Sequence, residues 1–145
     1  MSGRDTLAAS ITLDDVRAAL SLEGFDALEA QRRMAPQPRV LRRPSNRPGQ
    51  PHQGSVIVLL TPGEQGVSFP LIRRAENAAD VHSGQISLPG GAREPGETPV
   101  QTALREAAEE LGEGPEIEVL GELMPLYIPP SDFEVAAFVG WLPEV

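Results

Sequence analysis

Between Thr98 and Gly112 the chain reads TPVQTALREAAEELG, and no other stretch so narrows what it can fold into. Thr98 suits a helix N-cap, Pro99 the first helical position, and Gln101, three residues after the cap, completes a capping box. Strong helix formers follow, and Gly112 can take the left-handed conformation that closes a helix. The pattern predicts a helix of about three to four turns. Val100, Ala103, Leu104, Ala107 and Leu111 recur at three- and four-residue spacing, an apolar stripe expected to pack on a core. Glu106, Glu109 and Glu110 fall on another face of the same helix.

Carboxylates at i, i+3 and i+4 repel one another, which raises their pKa values and opposes the helix unless a positive group sits among them. Taken alone, such a face is a solvated acidic surface. The alternative is a hard divalent cation, and magnesium accepts an all-oxygen site shared with substrate phosphates. The residues ahead of the helix bear on that choice. Leu88-Pro89-Gly90-Gly91 is a glycine loop whose backbone can approach a metal or phosphate where a side chain would interfere. Gly91, five residues, Glu97, seven residues, then Arg105-Glu106-x-x-Glu109-Glu110-x-Gly112 is a spaced pattern.

On these residues the chain resembles the Nudix hydrolase family, specifically over 91–112 and more loosely over about 54–142. It departs at Ala107 and Glu113, where the family pattern has large aliphatic residues; Ala107 leaves a smaller contact area on the core side. The resemblance implies an α/β fold, the Nudix α/β/α sandwich, with a mixed sheet flanked by helices. It implies Glu106, Glu109 and Glu110 as magnesium ligands, with the Gly90 carbonyl as a further ligand and manganese as a substitute ion. Glu97 and Arg105 would brace the loop against the helix, and Glu109 would act as general base. The implied reaction is attack of water on one phosphorus of a substituted diphosphate.

Upstream, Leu71-Ile72-Arg73-Arg74-Ala75, His82-x-Gly84-Gln85 and Pro89-Gly90-Gly91 are similar to the coenzyme A diphosphatase branch. Leu88 replaces a phenylalanine of that branch, and Asp80 stands where it has a second arginine. The likeness implies Arg74, His82 and Gln85 as substrate-binding residues and release of 3′,5′-ADP and phosphopantetheine from coenzyme A. Two other readings stay open: a Nudix pyrophosphatase for ADP-ribose, other nucleoside diphosphate derivatives or nucleoside triphosphates, and a nucleotide-binding domain without catalysis. Outside the resemblance, an arginine pair at a strand end is an ion-pairing edge and a lone loop histidine is a solvated turn residue. The proline loop from Tyr127 to Val135 joins two strands.

Elsewhere, Thr12 can cap a helix to about Leu22, and Phe25 to Met34 suggests a second, with Phe25 and Leu28 facing inward. Pro36 to Gln53, with Arg39, Arg42, Arg43 and Arg47, has the composition of a loop or solvated arm. Ser55–Leu60 and Val67–Ile72 flank a turn at Pro62–Gly66 as a hairpin, and Ile117–Leu126 and Phe133–Leu142 read as two more strands. The expected division is therefore an N-terminal helical extension with its proline- and arginine-rich arm over 1–53, and a hydrolase domain over 54–145. The resemblance implies a further helix covering the sheet after the last strand; with Val145 just past that strand, the cover is expected from the N-terminal helices, a partner or a longer chain.

A chain of 145 residues with 40% hydrophobic content is expected to build one core. The net charge of -9 argues against nucleic acid or an anionic membrane as partner; the resemblance implies a small-molecule diphosphate as partner, with a homodimer allowed. There is no cysteine, so disulfides and thiolate chemistry are excluded. The N-terminus carries no apolar run, which gives a cytoplasmic expectation.

Overall fold

The computed structural model describes residues 10–38, 40–73, 84–112, 114 and 116–143. Helices α1 (Leu13–Leu20) and α2 (Ala27–Met34) precede strand β1 (His52–Gly63). Short strands follow: β2 (Gly66–Ser68), β3 (Ile72–Arg73), β4 (Ile86–Ser87) and β5 (Gly90–Ala92). Helix α3 (Pro99–Leu111) leads to β6 (Glu118–Ile128) and β7 (Phe133–Trp141).

The main sheet runs β2-β1-β7-β6, with β5 on the edge of β1 opposite β7. β1 and β7 are parallel, from His52 beside Phe133 to Leu60 beside Trp141, whereas β2, β5 and β6 pair antiparallel. The sheet is mixed, as expected. The predicted hairpin forms across Gly63 and Gly66, but its second arm ends at Ser68. Ile72–Arg73 instead pairs with Ile86–Ser87 as a separate two-stranded ribbon. β6 slips register between Leu123 and Leu126, and Pro125, which has no N–H to give a ladder, sits in that slip.

Alternation along the central strands sends Ile57 and Leu59 of β1 and Phe138 of β7 to one face, where they meet Ala103 and Ala107 of α3. Val100, Leu104, Ile117, Ala136 and Leu142 pack around this cluster. The other face carries Val139, which shares a groove with Val16, Ala19 and Leu20 of α1. Helices thus flank the sheet. α1 is held to β6 by Arg17, 3.1 Å from Glu118, and α2 by the Gln31 side-chain amide, which donates to the Met124 and Pro125 carbonyls.

Three local expectations are corrected. Phe25 does not face inward: α2 starts after it, capped by Asp26, and its ring is 64% exposed. Leu111 of the predicted stripe is 40% exposed, because the helix turns its smaller residues to the sheet: Thr102, Ala103 and Ala107 are buried. The described part of the arginine-rich arm is not a solvated linker. Arg43 clasps Asp132 through Nε at 2.9 Å and Nη2 at 3.0 Å, and Arg47 donates to the Tyr127 hydroxyl and the Pro129 carbonyl. Arg39 lies outside the described residues. Among those described, no helix is long and apolar enough to cross a membrane.

Candidate active site

β5 lays the glycine loop along the first half of β1, with Gly90 opposite Val56, Gly91 opposite Ser55 and Ala92 opposite Gly54. The Ile57 amide donates to the Pro89 carbonyl at 3.0 Å, and the Arg93 amide to the Gln53 carbonyl at 2.9 Å, so the loop is stitched at both ends. Both glycines are required by close approach. A Cβ on Gly90 would run into the backbone of Ser55 and Val56, and one on Gly91 into the carboxylate of Glu106.

α3 begins as its sequence dictates, with Thr98 Oγ1 accepting from the Gln101 amide and Gln101 returning a bond to the Thr98 amide at 2.8 Å. Its exit differs from expectation: Gly112 has φ 90° but ψ 161°, a glycine-only extended conformation rather than the left-handed helical one. With Ala103 and Ala107 against the sheet, the helix comes close enough for Glu106 to rest on Gly91.

Arg105 joins the helix to the loop. Its Nε lies 2.7 Å from Glu97 Oε1, its Nη2 donates to the Ala92 carbonyl at 3.0 Å, and its Nη1 reaches Glu106 Oε1 at 2.8 Å and Glu109 Oε1 at 3.3 Å. Glu97 also accepts from the Glu94 amide at 3.0 Å and from Thr102 Oγ1 at 2.8 Å. These donors hold the Glu97 carboxylate down to about 2, Arg105 first, then the Glu94 amide, with Thr102 adding to them. The Arg105 guanidinium is raised in turn, chiefly by Glu97 and then by Glu106. Arg105 is thus bonded both to Glu97 and to the Ala92 carbonyl of the glycine loop.

The third acid, Glu110, accepts from the Gly90 amide at 3.0 Å. It is this amide that joins Gly90 to the acidic set. Among the described residues no three His, Asp or Glu side chains converge on one point: Arg105 Nη1 bridges Glu106 and Glu109, while Glu110 turns to the Gly90 amide. The donor set nevertheless fits a hard cation. It comprises three carboxylates, with Glu109 and Glu110 exposed and no side chain at Gly91 to cover Glu106. Gln85 stands exposed just ahead of β4; Arg74 and His82 lie outside the described residues.

Sequence reasoning missed Thr102, which is fully buried and supports Glu97. Its signal was a hydroxyl three and four residues before Arg105 and Glu106, on the flank between the acidic and apolar faces. It also missed Ser55, whose place opposite Gly91 arises only from strand pairing.

Known proteins resemble the chain. It is 41% identical over 91 residues to Nudix hydrolase 3 of Caenorhabditis elegans, covering 62% of this chain and 38% of that protein. It is 38% identical over 76 residues to the Nudix hydrolase NudL of Yersinia enterocolitica, covering 51% of this chain and 38% of the relative. The chain therefore spans well under half the length of these curated relatives. A Nudix hydrolase from M. smegmatis, RenU, superposes with a TM-score of 0.53 at 24% identity, covering 67% of this chain and 64% of that one. The C. elegans Ap4A hydrolase does so with a TM-score of 0.54 at 17% identity, covering 66% and 70%, which is a likeness of fold. The NUDIX domain family model matches residues 51–142, taking in the loop, the brace and the glutamate helix, and the chain belongs to that family.

Proposed function

We propose that the chain is a metal-dependent hydrolase of substituted diphosphates, with coenzyme A or a derivative as substrate. The observation that carries the reaction class is the placement of Glu106 against Gly91 and of Glu110 on the Gly90 amide, with Glu109 sharing the Arg105 guanidinium that is tied to Glu97. Glu106, Glu109 and Glu110 would hold magnesium, or manganese in its place. The bound ion would supply charge neutralisation on the phosphate oxygens and a more acidic water.

The chain's own residues supply position and a base. The Arg105–Glu97 brace fixes α3 against the loop, so that the carboxylates meet a diphosphate at one distance from the Gly90–Gly91 backbone. Glu109 takes a proton from the attacking water as a P–O bond forms and the bridging P–O bond breaks. Its side chain is 59% exposed against 17% for Glu106, so it faces the solvent from which that water comes. The Gly84-Gln85 and Pro89-Gly90-Gly91 run supports coenzyme A as the substrate, with Gln85, Arg74 and His82 as its contacts. Leu88 and Asp80, which break that run's usual pattern, favour the second reading, an ADP-ribose or other nucleoside diphosphate hydrolase.

The test is a hydrolysis panel with magnesium over coenzyme A, ADP-ribose, diadenosine polyphosphates and nucleoside triphosphates, with products identified. The expected result is 3′,5′-ADP from coenzyme A. Turnover of a different diphosphate would move the substrate and leave the reaction class. Silence across the panel would leave a binding domain. Glu109→Gln and Glu110→Gln should each lower turnover at least about tenfold; full activity in both variants would defeat the metal assignment.

A further inference from the structure

Ser55 is 1% exposed, and its hydroxyl is the one buried side-chain oxygen or nitrogen among the described residues without a hydrogen-bond partner. An unpaired buried hydroxyl is costly, and an alanine would fill a strand position facing α3 without that cost. Its surroundings show what the hydroxyl is set against. Ser55 pairs with Gly91 across the antiparallel β1–β5 ladder, and residues directly opposite project to the same face, with Cβ positions about 5 Å apart. On that face the missing side chain of Gly91 leaves its space to the Glu106 carboxylate. The orphan hydroxyl thus stands across the strand pair from the space that a proposed metal ligand fills.

We infer that Ser55 is a positioning residue for Glu106, its hydroxyl donating to the carboxylate when that group turns from Arg105 to a divalent cation. The inference rests on the metal reading proposed above. In the structure Arg105 holds Glu106 Oε1 at 2.8 Å. A guanidinium is repelled by an arriving cation and is already shared with Glu97 and Glu109, so its hold on Glu106 weakens at the moment the ligand must be oriented. A neutral hydroxyl suffers no such repulsion. Donating to one carboxylate oxygen, it stops the group from swivelling and presents the other oxygen to the ion. Groups that orient a ligand in this way commonly govern metal affinity as the ligands themselves do.

The experiment is equilibrium Mn2+ binding to the full chain, read by the electron paramagnetic resonance of free Mn2+ without substrate, alongside thermal melting of the metal-free protein. Ser55→Ala should raise the Mn2+ Kd about fivefold, the equivalent of one net hydrogen bond. Its metal-free melting temperature should stay equal or rise, since an unpaired buried hydroxyl has been removed. Ser55→Cys, close in size but a weak donor, should fall between the two. In a Glu106→Ala background Ser55→Ala should have no further effect on the Kd, because the group it orients is gone. An unchanged Kd in Ser55→Ala, or a raised Kd matched by a lower metal-free melting temperature, would overturn the inference and leave the proposed function standing. Failure of the native chain to bind Mn2+ would overturn both.

Discussion

Two adjacent glycines do different work at the site. Gly90 abuts the backbone of β1, which cannot move aside, whereas Gly91 abuts the far end of the Glu106 side chain, which can. Gly90→Ala should therefore destabilise the fold by about 1–3 kcal/mol, as overpacking does, measured by urea unfolding. Gly91→Ala should leave stability nearly unchanged and lower turnover about 100-fold, the usual scale for a misplaced group. Equal losses of stability in the two variants would contradict this division. The Glu97 carboxylate offers a second residue-level prediction. Its value near 2 lies below the ordinary 4.5, so the stability it contributes is fully present above about pH 4.5 and is lost as pH falls toward 2. A carbon-detected NMR titration should find its midpoint near 2, and Arg105→Gln should move that midpoint upward, because Arg105 is the main cause.

α3 shows what an element takes from its own residues and what it takes from its neighbours. Its start is local, with Thr98 and Gln101 exchanging hydrogen bonds across three residues. Thr98→Ala should cost about 1 kcal/mol, visible as a lower denaturation midpoint with an unchanged slope; no shift would show that tertiary packing alone holds the first turn. Its rotation is not local. The apolar stripe read from the sequence spans Val100, Ala103, Leu104, Ala107 and Leu111. Within and beside it the small residues Ala103, Ala107 and Thr102 are the buried ones, because small side chains allow the helix to approach the sheet closely. Leu104 and Leu111 are left lining a cleft of about 780 Å3 with Leu59, Phe69, Ile117 and Leu142. That turn of the helix carries Glu106 onto Gly91, so the packing choice and the site geometry are the same event.

At the scale of the molecule, the segment between α2 and β1 is a strap across the β6–β7 turn. Arg43 and Asp132 stand 89 positions apart in sequence, yet the guanidinium grips both carboxylate oxygens. Arg43 and then Tyr127 hold Asp132 down to about 2, and burial first, then Asp132, raises the Tyr127 phenol. Asp132 itself has φ 54°, a left-handed conformation that aspartate tolerates better than most residues. Its carbonyl accepts from the His52 amide at 2.8 Å where β1 begins, one strand pairing away from the glycine loop. Arg43→Ala should speed hydrogen exchange at the Arg47 and His52 amides while leaving the amides of α3 protected. Uniform acceleration across the chain would show instead that the strap is needed for global stability.

The sequence by itself determined the parts whose causes lie within a few residues: the N-caps of α1 and α3, the hairpin turn at Gly63–Gly66, and the spacing of Gly91, Glu97, Arg105 and the three glutamates. Such features depend on hydrogen bonds and backbone preferences that neighbouring residues satisfy among themselves. Only the tertiary structure decided that β1 runs parallel to β7, that α3 buries Thr102 and turns Leu111 outward, that Arg43 meets Asp132, and that Ser55 pairs with Gly91. Those outcomes depend on strand register and packing volume, which residues far apart in the chain set jointly and no local pattern encodes.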